Sequence, residues 1–208
     1  MNELTKLSDG LYRLYVPFEE LYTAVFFAVC DEGVAIIDSA TYPSDVEEYI
    51  LPALSSLGIR SEQIRFIALT HKHGDHSGGA PRLSVLLPSA QVVASEPPKG
   101  LAYTEIGDGD IILGSLQVLL LPGHTERSVG YLDLRSKTLL SGDCLQLGGI
   151  GKYRNGIKHP ELYRASVERL RGMNINRIVA SHEYDPLGST AEGREEIEKY
   201  LDCCLEYL

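Results

Sequence analysis

Apolar residues crowd three early stretches of this chain, "GLYRLYV" (10–16), "YTAVFFAVC" (22–30) and "GVAIIDS" (33–39). All are rich in β-branched and aromatic residues, and Asp31-Glu32-Gly33 is a turn signal between the last two, so the pattern predicts three strands. The spacing then changes. In "PSDVEEYILPALSSLG", Val46, Ile50, Leu54 and Leu57 share one helical face. Ser44 and Glu47 form a capping box there, Pro52 predicts a kink, and Gly58 a stop. "IRFIALT" (64–70) is a short buried strand, and "QVVAS", "DIILGSLQVLLLPG", "VGYLDL" and "TLLSGD" supply a second set.

Two helices close the pattern. "HPELYRASVERLRGM" has Leu162, Ala165, Leu170 and Met173 as inward candidates, and "STAEGREEIEKYLDCCLEYL" opens on a Ser189/Glu192 cap. Two strand-rich halves, each followed by helices, predict an α+β chain in which sheets are sandwiched between outer helices. No low-complexity linker divides it, so residues 1–208 read as a single domain.

Composition narrows the partners. Acidic residues outnumber basic ones by 29 to 19, for a formal charge of -10, which opposes binding to nucleic acid or anionic lipid. No apolar run has the length of a signal peptide or a membrane span, and the four cysteines follow no disulfide spacing. A cytoplasmic protein acting on a small molecule is the expectation, with the oligomeric state open to a dimer.

The chemistry concentrates in "THKHGDHSGG" (70–79), directly after the predicted strand 64–70. A lone His-x-His in such a loop is more often a hydrogen-bonded turn than a ligand pair. Here Asp75 and His76 follow at once, and His124, Asp143 and His182 each come after a further apolar strand run. Five of the six histidines occupy such strand ends, with His159 outside the pattern. Imidazoles and carboxylates without thiolate suit zinc, iron or manganese. The seven donors are too many for one four-coordinate ion and suit two divalent ions, zinc first among them. Two such ions hold a hydroxide between them near neutral pH, which is the equipment of a hydrolase.

This spacing resembles the metallo-β-lactamase superfamily over nearly the whole chain. The resemblance implies a four-layer αβ/βα sandwich. By position, it implies that His71, His73 and His124 bind one ion and Asp75, His76 and His182 the other. Asp143 would bridge, Asp38 would orient a ligand histidine from behind, and Asp75 would also take a proton in catalysis. Cys144 follows the bridging aspartate and, by strand alternation, should face away from the metals. The histidine at position 73 disfavours the oxygen-reducing diiron members, which carry glutamate there.

"GIGKYRNG" and "SHEYDP" resemble glyoxalase II, the thioesterase that cleaves S-lactoylglutathione. By that resemblance Lys152 and Tyr184 hold the substrate. Ser181 stands where that family has glycine, and its longer helical C-terminal region is not matched. The expectation is therefore a glyoxalase II-like thioesterase or esterase. A lactonase or a mononuclear iron persulfide dioxygenase are the alternatives, with a phosphodiesterase or nuclease behind them.

Overall fold

The computed structural model describes residues 4–146, 156–184 and 186–208. Contacts divide the chain into two compact units, Met1–Ile106 and Gly107–Leu208. The division differs from the two strand sets read from the sequence in one strand, since "QVVAS", read with the second set, pairs in the first unit; each unit is built on one mixed sheet.

The first unit carries a seven-stranded sheet in sequential order: β1 (Leu4–Ser8), β2 (Leu11–Phe18), β3 (Leu21–Cys30), β4 (Gly33–Ile37), β5 (Ile64–Ala68), β6 (Gln91–Ala94) and β7 (Thr104–Glu105). Strands β1 to β4 are antiparallel neighbours, whereas β4, β5, β6 and β7 run parallel. Parallel neighbours need a crossover, and this sets where helices can be. The β4–β5 crossover contains α1 (Pro43–Asp45), a π-helical turn (Val46–Ile50) and α2 (Leu51–Ser56). The wide turn comes immediately before Pro52, where an ordinary helical turn would be broken by the pyrrolidine ring. The kink expected at Pro52 thus takes the form of a π-turn. The cap differs from the expected one: Asp45, not Glu47, accepts from the Thr41 and Tyr42 amides at 3.1 and 2.8 Å. The β5–β6 crossover contains α3 (Gly74–Ser77) and α4 (Ala80–Leu86). Val25, Phe27, Ile36 and Ile67 from the sheet meet Ile50, Leu54 and Leu83 from these helices in one apolar cluster.

The second unit holds a six-stranded sheet. Its strands are β8 (Ile111–Ile112), β9 (Leu116–Leu120), β10 (Val129–Asp133), β11 (Thr138–Gly142), β12 (Arg177–Tyr184) and β13 (Gly188–Glu192), in the order β13-β12-β11-β10-β9-β8. Only β11 and β12 are parallel, and helix α5 (Pro160–Arg171) lies in their crossover; α6 (Arg194–Glu206) closes the chain. Two readings of this half need correction. The face of α5 is rotated by about one residue: Tyr163, Ser166, Val167 and Leu170 are buried, while Leu162 is 43% exposed. A buried tyrosine and serine, polar in a hydropathy pattern, hid that face. The Ser189/Glu192 pair also caps no helix. It lies on β13, whose alternating burial pairs with β12, and the helix begins only after Gly193.

No helix among the described residues is long and apolar enough to cross a membrane. None of the four cysteines is in a disulfide; Cys144 and Cys204 are buried, and Cys30 and Cys203 half-buried. Burial pushes the Cys204 thiol up to about 12. An aromatic disulfide reagent at pH 8 should therefore modify Cys30 and Cys203 in the native protein, with Cys144 and Cys204 reacting only after denaturation. Mass mapping of the modified thiols checks this, and native labelling of Cys204 would contradict it.

Candidate metal centre

In the first unit the parallel pairing of β4 and β5 brings Ile37 opposite Ala68, so the residues beyond both strands leave the same sheet edge. Asp38 sits there, fully buried, with its backbone in the left-handed region at φ 61. Its carboxylate collects three donors. The Thr70 amide donates to Oδ1 at 2.8 Å, the Thr70 hydroxyl to Oδ2 at 2.8 Å, and His76 Nδ1 to Oδ2 at 2.7 Å. Because the Thr70 hydroxyl spends its proton on Asp38, its oxygen is the acceptor for His71 Nδ1 at 3.1 Å. One buried carboxylate thus fixes the tautomer of two histidines, His76 directly and His71 through Thr70, and leaves each Nε2 with its lone pair.

The loop between them is held by backbone. His73 precedes α3, and its carbonyl accepts from the amides of His76 and Ser77. Ser39 grips the far side of the short helix, donating both its amide and its hydroxyl to the His76 carbonyl at 2.7 and 2.9 Å. Gly78 and Gly79 close the approach. Their φ values, -67 and -82, suit any residue. What excludes a side chain is space: a Cβ on Gly78 would overlap the Thr41 carbonyl oxygen, and one on Gly79 the Ser39 carbonyl oxygen. Lys72 turns outward and pairs with the buried Glu96 carboxylate at 3.0 Å.

Four of the donors expected from the sequence meet in this unit. His71 Nε2 and His73 Nδ1 are 3.1 Å apart, and His76 Nε2 and Asp75 Oδ2 are 3.4 Å apart. Two ligands on a tetrahedral zinc, each at about 2.0–2.1 Å, are separated by roughly 3.3 Å. Both pairs have that spacing within a few tenths of an ångström.

The second unit supplies three more. Gly123, at φ 148, passes so close to α5 that a Cβ there would lie 2.6 Å from the Tyr163 Cβ, and the Ser166 hydroxyl bonds the Pro122 carbonyl. His124 follows, donating from Nδ1 to the Gly156 carbonyl at 2.7 Å and leaving Nε2 as its acceptor atom. Asp143 emerges from β11 beyond Gly142, and its two oxygens face different histidines. Oδ2 lies 3.5 Å from His124 Nε2, and Oδ1 lies 3.4 Å from His182 Nε2. These are again the separations of ligands around an ion. Cys144, as expected from alternation, turns into the apolar cluster behind the strand.

Neighbours not foreseen from the sequence hold this half. The Gln146 amide group is 3.0 Å from His124 Nδ1, and Tyr163 clamps the Gln146 backbone, its hydroxyl accepting from the amide and donating to the carbonyl at 2.9 and 2.8 Å. The misplaced face of α5 concealed Tyr163. Two expected substrate residues fare differently. Lys152 lies outside the described residues. Tyr184, expected from the resemblance to hold substrate, is 1% exposed and donates its hydroxyl to Asp143 Oδ1 at 3.2 Å. Burial, and then the Asp143 charge, push that phenol well above its ordinary pKa, so it remains a donor.

The Asp38 network gives a direct test. Asp38→Ala leaves the Thr70 amide, its hydroxyl and the His76 ring N–H buried without their acceptor, at about 1–3 kcal/mol for each unsatisfied group. A loss of at least about 3 kcal/mol in urea unfolding is expected, together with weakened zinc uptake; an unchanged unfolding midpoint would contradict it.

A family model described as the metallo-beta-lactamase superfamily matches residues 19–97. The hydroxyacylglutathione hydrolase of Synechococcus sp. (strain JA-2-3B'a(2-13)) is 33% identical over 157 residues, covering 72% of this chain and 58% of that protein. The protein of the same name from Stenotrophomonas maltophilia (strain R551-3) is 30% identical over 165 residues, covering 77% and 60%. The chain thus spans about three-fifths of the length of these curated relatives. Among solved structures, a metallo-beta-lactamase family protein from Thermus thermophilus aligns with a TM-score of 0.71 at 20% identity, covering 95% of this chain and 80% of that one. BJP-1, a subclass B3 metallo-beta-lactamase of Bradyrhizobium japonicum, gives 0.69 at 21% identity, covering 98% and 91%. These likenesses establish the α+β fold expected from the strand and helix pattern, and with the matched motif they show that the chain belongs to the metallo-β-lactamase superfamily.

Proposed function

We propose that the donors of the two units act together on two divalent metal ions, with zinc the best match to the donor set, and that the protein hydrolyses a thioester or ester of a small molecule. The observation that carries this reading is the Asp143 carboxylate, whose oxygens face His124 and His182 separately at ligand–ligand spacing. A carboxylate that divides its oxygens between two imidazoles in this way is placed to serve two ions. In this reading His71, His73 and His124 hold one ion, Asp75, His76 and His182 the other, and Asp143 belongs to both. Two such ions supply a water deprotonated near neutral pH and a Lewis acid for an acyl oxygen.

The chain's own groups do the rest. Thr70, Asp38 and the Gly156 carbonyl take up Nδ1 of His71, His76 and His124, so that Nε2 is the nitrogen each ring has left to offer an ion. Asp75 keeps a side chain 19% exposed, more than its partner His76, and is the carboxylate placed to accept the proton of an attacking water. Lys152, by the glyoxalase II resemblance, supplies a cation for an anionic substrate tail. The thioester preference is supported by the hydroxyacylglutathione hydrolases among the relatives.

Metal analysis of protein purified without added metal, paired with a screen of S-lactoylglutathione, other thioesters, lactones and phosphodiesters, tests the reading. Two zinc ions per chain and oxygen-independent thioester hydrolysis are expected. One iron per chain with oxygen consumption would overturn it in favour of a dioxygenase, and turnover of lactones alone would reassign the substrate. Asp75→Ala should lower kcat by about 100-fold or more and reduce metal content; full activity in that variant would sink the scheme.

A further inference from the structure

We propose that Tyr184 is a positioning residue for Asp143, setting the plane of its carboxylate so that each oxygen meets its own histidine. The inference deepens the two-metal reading and rests on it. Three observations lead there. Tyr184 and His182 are separated by one residue on β12, so their side chains share a face of the strand. The strand thereby delivers a phenol and an imidazole to the same oxygen: Tyr184 Oη reaches Asp143 Oδ1 at 3.2 Å and His182 Nε2 lies 3.4 Å from it. The two rings stand perpendicular, with centroids 6.2 Å apart, so neither blocks the other.

The second observation concerns what a carboxylate needs. Its terminal torsion is broad and soft, so the backbone of Asp143 does not by itself fix where the two oxygens point. A donor on one oxygen does. The Tyr184 hydroxyl supplies one on Oδ1 at 3.2 Å, nearer than the 3.5 Å at which the Gln146 amide group stands from Oδ2. The third observation is burial. Tyr184 is 1% exposed, packed in the apolar cluster of its unit, and its hydroxyl is already committed. A side chain so enclosed is built to hold a neighbour rather than to meet a ligand arriving from solvent.

Tyr184→Phe separates positioning from substrate contact. Wild-type and variant chains, stripped of metal, are titrated with zinc in competition with a chromophoric chelator, and kcat and KM are measured with S-lactoylglutathione. The expected result is a dissociation constant for the weaker zinc raised about tenfold or more, with kcat lowered and KM unchanged. Unaltered zinc affinity would overturn the proposal, and a rise in KM alone would restore the substrate-contact role. Wild-type protein that takes up fewer than two zinc ions would instead remove the two-metal reading, and this proposal with it. Should the variant not fold, a crystal structure of the zinc-loaded wild-type chain decides: Tyr184 Oη on Asp143 supports the proposal, and Oη turned to any other partner refutes it.

Discussion

A buried carboxylate must be solvated by the protein itself, and at Asp38 that requirement organises the first unit. The side chain has no accessible surface, and burying it without partners would cost several kcal/mol. Three donors answer it, and two of them come from Thr70, at the end of the adjacent parallel strand. The pairing of β4 with β5 is thus more than sheet construction, since it is what brings a carboxylate and a threonine from distant parts of the chain to one edge. Once they meet, the orientation of His71 and His76 follows from hydrogen-bond directionality. The left-handed backbone at Asp38 is tolerated because so many contacts over-determine the position.

Asp143 shows the opposite use of the same functional group. Asp38 accepts from N–H and O–H donors at 2.7 and 2.8 Å, whereas Asp143 has two imidazole nitrogens at 3.4 and 3.5 Å from its oxygens. One carboxylate completes the protein's own hydrogen bonding. The other stands from its two imidazoles at the spacing that ligands of a metal ion have, which is the geometry on which the proposed function rests.

Much of this was legible in the chain. Apolar runs mark the strands that lead to His71, His124 and Asp143, and "VAII" leads to Asp38, whereas His182, expected past a strand end, lies within β12. Cys144 packs into the apolar cluster as expected, but β11 ends at Gly142, and a turn in which the Cys144 amide bonds the Ser141 carbonyl sets its direction. Helical faces were less legible. In α5 the inward stripe includes Tyr163 and Ser166, whose burial depends on partners, the Gln146 backbone and the Pro122 carbonyl, that sequence spacing does not reveal. Ser189 and Glu192 match a Ser-x-x-Glu cap, but the same residues serve in β13, which turns back to pair with the preceding strand β12. The motif around Tyr184 names the residue but not the direction of its hydroxyl, which in the structure points to Asp143.

The pair Gly78-Gly79 bears on how this loop can change. Backbone torsion there is ordinary, so a scan for unusual dihedrals would pass both positions as replaceable. The obstruction is the carbonyl oxygens of Ser39 and Thr41, which belong to the same loop that carries Asp38. Admitting even a methyl group would push that loop away from α3 and carry the tautomer-setting carboxylate with it. Of the three glycines in the segment, Gly74 has room for a side chain, while Gly78 and Gly79 do not, so smallness alone does not say which can be exchanged.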